Sequence, residues 1–113
     1  MNNYKELNLL LSSKSVCLIA HIDPDADAIS SMVVFRDFLK KHFKINKVDI
    51  YAETKKLSPN LLPILDKIKI NNKISKYETA IMMDSPNLER LGIYKLLFFD
   101  RIKIQNMLQY KYE

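Results

Sequence analysis

One imidazole and three carboxylates, His21, Asp23, Asp25 and Asp27, fall within seven residues, in the stretch AHIDPDADAISS that runs from Ala20 to Ser31. Carboxylates crowded this closely repel one another, and bound cations remove that repulsion. An imidazole with several carboxylates is a donor set for Mn²⁺, with Mg²⁺ or Fe²⁺ as alternatives, rather than for a thiolate-seeking structural zinc. Two such ions about 3.5 to 4 Å apart activate water and clamp the oxygens of a phosphate ester. The chemistry open to this cluster is therefore metal-assisted phosphoryl hydrolysis.

Such side chains need elements that hold them. Directly before the cluster lies the apolar run Val16-Cys17-Leu18-Ile19-Ala20, short and β-branched at Val16 and Ile19, which predicts a buried strand over Ser15 to Ala20. After Asp27 the apolar residues Ile29, Met32, Val33, Phe35 and Leu39 take helical spacing, predicting an amphipathic helix from about Ala28 to Phe43. The acidic cluster then occupies a βα turn, where open α/β folds place their sites.

The flanking chain continues the alternation. Tyr4, Leu7, Leu10 and Leu11 predict a docking helix over Asn3 to Leu11. KVDIYA, Lys47 to Ala52, predicts a second strand. Leu61, Leu62, Ile64, Leu65 and Ile68 form a helical stripe in which Pro63 is tolerated only in the first turn. Lys69 to Tyr77 fits a short strand or a loop equally well. Thr79 to Met83 predicts another buried strand, ended by Asp84, and SPNLERLG then supplies a turn and a short helix closed by Gly92, the sole glycine. Tyr94 to Phe99 reads as helix or strand, and residues 101–113 as an irregular or partly ordered tail. The order β-α-β-α-β predicts an α/β fold, a three-layer domain with a mainly parallel sheet flanked by helices.

Length and composition bound the reading further. A chain of 113 residues, 48% hydrophobic, makes one domain with a core and excludes wholesale disorder. The net charge of +5 is carried by lysines scattered along the sequence, a pattern read as solvated surface ahead of a nucleic-acid patch. The lone Cys17 lies inside the first apolar run and is expected to be a reduced core thiol, which favours the cytoplasm. No apolar stretch reaches the roughly 18 residues of a membrane span, so no membrane partner is expected. His42, among Lys40, Lys41 and Lys44 at the end of the long helix, reads as a helix-terminal surface histidine and not as a metal ligand.

Three other readings of the acidic cluster compete. Alternate aspartates also open a calcium loop of the EF-hand type, but the positions needing Gly and a bidentate Glu hold Ala28 and Val34. A two-component receiver domain would need a Ser or Thr and a Lys at later strand ends, and no clear pair is present. Finally, Asp25 or Asp27 could merely cap the following helix. One cap needs one carboxylate, which leaves His21, the other aspartate and Asp84 unaccounted for.

HIDPDADAISS, His21 to Ser31, resembles the first motif of the DHH phosphoesterases, in particular the branch of nano-RNases and phosphoadenosine phosphatases. MDSPNLERLG, Met83 to Gly92, resembles the second motif of that branch, an Asp at a strand end followed by Arg-Leu-Gly. The resemblance covers roughly residues 3–100. It implies His21, Asp25, Asp27 and Asp84 as ligands of a two-ion Mn²⁺ site, with Mg²⁺ as the alternative metal. Asp84 would be shared between the ions and catalytic, Arg90 would meet the substrate phosphate, and Asp23 would be a turn residue.

The resemblance also implies what is missing. The Asp-His-His that names the family should stand near Ile104-Gln105-Asn106-Met107, and no histidine follows His42. The chain is thus expected to be the amino-terminal part of such a domain, lacking the carboxyl-terminal substrate-binding domain and inactive by itself. The whole enzyme would hydrolyse phosphate esters of short oligonucleotides or 3′-phosphoadenosine phosphate. The alternative is a short metal- or phosphate-binding module that acts through a protein partner, with a homo-oligomer as one way to cover an open sheet edge.

Overall fold

A computed structural model describes residues 8, 12–56, 59–83, 91–94 and 103–110. Its order is β1 (Ser15–Ile19), α1 (Ala26–His42), β2 (Lys47–Ala52), a 3-10 segment (Pro59–Lys67), β3 (Ile68–Ile70), β4 (Tyr77–Met83) and β5 (Ile104–Tyr110). The five strands form one sheet in the order β3-β2-β1-β4-β5, and every pairing is parallel. The α/β fold expected from the alternation of apolar patterns is the fold observed.

β1 is central because it is apolar on both faces: Val16, Cys17, Leu18 and Ile19 are all 0% exposed. Its even-numbered residues Val16 and Leu18 join a core with Ile29, Met32 and Leu39 of α1 and with Val48 and Ile50 of β2. Its odd-numbered residues Cys17 and Ile19 join a second core with Tyr51, Tyr77, Ala80, Leu91 and Tyr94. The period-two side-chain alternation of a strand thus feeds a core on each face of the sheet.

α1 begins two residues earlier than the spacing predicts, because Asp25 takes the N-cap and its side chain accepts a hydrogen bond from the Ala28 amide. Lys40, Lys41 and His42 lie in its last turn, where positive charge meets the carbonyl end of the helix. Arg36 Nε donates to the Val48 carbonyl over 3.0 Å, satisfying a β2 group next to the start of that strand.

Two segments differ from the sequence reading, and one that it left open between strand and loop proves to be both. The stripe over Asn60 to Ile68 folds as a 3-10 segment with Pro63 inside it, since proline has no amide for an α-helical ladder. The ambiguous stretch after it yields the strand β3, Ile68–Ile70, and then irregular chain to Lys76. Residues 104–110, expected to be irregular or partly ordered, form β5, which lies in register with β4 from Tyr77↔Ile104 to Met83↔Tyr110. The expected amino-terminal helix and most of the stretch after Met83 lie outside the described residues. No helix among the described residues is long and apolar enough to cross a membrane.

Candidate functional site

Every strand points its carboxyl end the same way, and the chain winds from β1 toward β2 and β3 before crossing to β4 and β5. The reversal falls between β1 and β4, and open sheets of this kind bind ligands in the crevice at that point. The turn after β1 opens there. Ala20 prolongs the pairing with β2, its amide donating to the Tyr51 carbonyl over 3.0 Å.

Asp23 then reverses the chain with φ of 51°, a left-handed conformation that Asp tolerates better than most residues. Its amide donates to the Glu53 carbonyl over 2.9 Å, and its Oδ1 accepts from the Lys55 amide over 3.1 Å. Asp23 is therefore a turn residue whose carboxylate ties the β1 loop to the β2 loop. Asn71 does the same on the far side: its amide donates to the Ala52 carbonyl, and its side chain exchanges two hydrogen bonds with the Thr54 backbone, at 3.0 and 2.9 Å. Glu53 extends the tie, with Oε1 accepting from the Ile93 amide over 2.7 Å.

Three of the four expected metal ligands come to one cavity. His21, Asp25, Asp27 and Ser31 form its polar wall, with Ala20, Met32 and Met83 supplying apolar lining, around a volume of about 300 Å³. His21 Nδ1 lies 2.9 Å from the Ile22 carbonyl. A carbonyl only accepts, so that nitrogen is the donor, and in the neutral ring Nε2 is left with the lone pair for a ligand. Asp25 Oδ1 accepts from the Ala28 amide over 2.8 Å, and its second oxygen is not used by that cap. Asp27 stands exposed in the first turn of α1.

No group of three or more His, Cys, Asp or Glu among the described residues is already arranged to hold a metal ion. Asp84, the fourth expected ligand, and Arg90 lie outside the described residues. Met83, the residue before Asp84, lines the same cavity as His21. His42 is exposed at the other end of α1, its ring 4.9 Å from that of Phe38, as a helix-terminal surface histidine should be.

Sequence reasoning missed the residues that fasten the turn from outside it. Nothing in the local pattern marks Glu53 as the acceptor for the Ile93 amide. Asn71 carries one usable signal, since asparagine is among the few residues that favour the left-handed conformation it adopts, with φ of 56°.

On the opposite face of the sheet the polar groups are packed and hydrogen-bonded to one another. Tyr77 OH donates to Asp49 Oδ2 and meets Tyr51 OH at 2.8 Å, so burial and those two partners raise its pKa. Burial, and then the charge on Asp49, pushes the Cys17 thiol up to about 12. A thiol held protonated in this way is a core group and not a nucleophile.

Comparison with protein-family models gives no match, and comparison with curated proteins gives none.

Proposed function

We propose that the chain forms the amino-terminal part of a DHH-type phosphoesterase domain and binds a divalent cation, Mn²⁺ or Mg²⁺, through His21, Asp25, Asp27 and Asp84. One observation carries this reading: His21, Asp25 and Asp27 share a cavity at the crossover between β1 and β4 with Met83, whose next residue is Asp84. The donor set fits a hard divalent cation, being one imidazole nitrogen and carboxylate oxygens. When bound, such an ion polarises a phosphoryl oxygen and lowers the pKa of a water.

The chain's own residues prepare that place. The Ile22 carbonyl fixes the His21 tautomer, and Asp23 and Asp25 fix the backbone on either side of Pro24. Ser31 offers a hydroxyl to the cavity. Arg90 is assigned to the phosphate of a short oligonucleotide or of 3′-phosphoadenosine phosphate from the resemblance of its motif, and Asp84 to the catalytic position on the same ground.

β5 lies beside β4 where the family's Asp-His-His strand is expected, but its sequence is IQNMLQY, without imidazole or carboxylate. The ligands for a second ion are therefore not supplied by that strand. We expect this 113-residue chain to bind the cation without turning over substrate. The buried, protonated Cys17 suits a reducing compartment and supports a cytoplasmic location.

Calorimetric titration with Mn²⁺ tests the assignment. Binding should be lost in His21→Ala and in Asp84→Ala and kept in His42→Ala. Equal heats in all three variants, or none in the unmodified chain, would overturn it.

A further inference from the structure

The end of the sheet opposite the acidic turn has a different character. Each strand is opened by a lysine: Lys14 precedes β1, Lys47 begins β2, Lys67 precedes β3, Lys76 precedes β4 and Lys103 precedes β5. Because all pairings are parallel, Lys14, Lys47, Lys76 and Lys103 share one edge of the sheet, whereas Lys67, which the register sets opposite Asp49, lies farther along it. All five are exposed. α1 runs back from the carboxyl end, so Lys40 and Lys41 of its last turn, and Lys44 in the link to β2, come to the same edge.

We infer that this amino-terminal edge is a docking surface for the phosphate backbone of a nucleic acid, with Lys14, Lys47, Lys76 and Lys103 as its central row. Neighbouring strands are about 4.8 Å apart, so the row across β2, β1, β4 and β5 spans about 14 Å. That is the axial length of about four nucleotides in one strand, each bringing a negative charge. Lys47 is held in the row, its Nζ 4.4 Å from the centre of the Tyr77 ring.

Two carboxylates near the row, among the described residues, accept hydrogen bonds from the sheet. Glu78 accepts from the Lys14 amide over 3.3 Å, and Asp49 accepts from Tyr77 OH. An aromatic surface adjoins the lysines at the end of α1. Phe38 is 45% exposed, with its ring tilted against His42 and Phe43 at 4.9 and 5.7 Å. Lysines that track a backbone beside an aromatic ring that takes a base are the usual parts of a single-strand binding surface. A line of point charges at regular spacing suits the regularly spaced phosphates of a nucleic acid better than an anionic membrane, which rewards apolar side chains that insert.

This inference goes beyond the cation site and does not rest on it, because the length of β1 separates the two ends. The probe is a fluorescein-labelled single-stranded RNA of about 16 nucleotides, followed by anisotropy in EDTA so that no divalent ion takes part. Binding is expected at about 50 mM salt and should weaken steeply toward about 200 mM. Replacing both Lys47 and Lys76 by Gln should lower the slope of log affinity against log salt by about 2. Lys14→Gln with Lys44→Gln should act alike, which keeps the test decisive should Lys47 also matter to folding through Tyr77. Lys55→Gln with Lys56→Gln, at the other end of the sheet, should leave the slope unchanged. No binding at low salt, an equal loss from the Lys55 and Lys56 pair, or binding to phosphatidylserine vesicles without binding to RNA would overturn the inference.

Discussion

Asp25 holds two posts at once, and substitution separates them. Its Oδ1 caps α1 through the Ala28 amide at 2.8 Å, while its place in the cavity wall makes it a cation ligand in the proposed site. Asp25→Ala removes the cap, at a cost of about 1 kcal/mol. It also removes the attraction of the charge for the helix amino terminus, a further 0.3 to 1 kcal/mol, roughly. Asp25→Asn loses the charge but keeps an equally good capping oxygen. The Asn variant should therefore melt above the Ala variant by about 1 kcal/mol, which is about 4 °C for a domain of this size. The cation sees the opposite grouping, because both variants lack the carboxylate. With Mn²⁺ at about a hundred times its Kd, the unmodified chain should gain about 2.7 kcal/mol of stability. Neither variant should gain a comparable amount at that concentration. Thermal unfolding followed by circular dichroism, with and without Mn²⁺, reads both effects. Equal melting temperatures for the two variants without metal would refute the capping argument, and an undiminished Mn²⁺ shift in Asp25→Asn would refute the ligand assignment.

Two further substitutions probe the frame around the site. Gly92 has φ of +61°, and a Cβ there would come within 1.9 Å of Glu53 Oε1, the acceptor for the Ile93 amide. Gly92→Ala should cost about 1 to 2 kcal/mol for the left-handed backbone alone, and more as Glu53 is displaced; an unchanged midpoint in urea would contradict this. Cys17 gives a pH dependence with a definite sign. Its thiol is raised from an ordinary value of 9.0 to about 12 by burial, so above pH 9 the unfolded chain releases a proton that the folded chain keeps. Stability should then fall with rising pH between about 9 and 12, by up to about 1.4 kcal/mol per pH unit from this group. Comparing urea midpoints at pH 8 and 10 should show a smaller fall in Cys17→Val, and identical falls in the two chains would refute the cause.

β1, α1 and the turn between them were legible in the sequence because everything that specifies them is local. A run of apolar residues with β-branching, a period near 3.6 and a carboxylate before the first turn act over neighbouring residues. β2 and β4 were legible for the same reason, KVDIYA and TAIMM being apolar in strand patterns. β5 was not, because IQNMLQY is a strand by virtue of the groups that β4 offers it, from Tyr77 to Met83. β3, three residues long, likewise depends on β2, with Ile68 opposite Ile50.

The candidate site divides along the same line. Residue types at close spacing already grouped His21, Asp23, Asp25 and Asp27, and the family resemblance singled out His21, Asp25 and Asp27 as expected ligands and Asp23 as a residue of the turn. Only the tertiary structure decided that Met83, far along the chain, closes the same cavity, and that Glu53 and Asn71 hold the loops around it. It also turned lysines that look scattered along the sequence into a row, because parallel pairing brings the starts of β1, β2, β4 and β5 to one edge. Local pattern dictates which face of an element is apolar, whereas the order and direction in which elements pair is settled by burying those faces together, and that is a property of the whole chain.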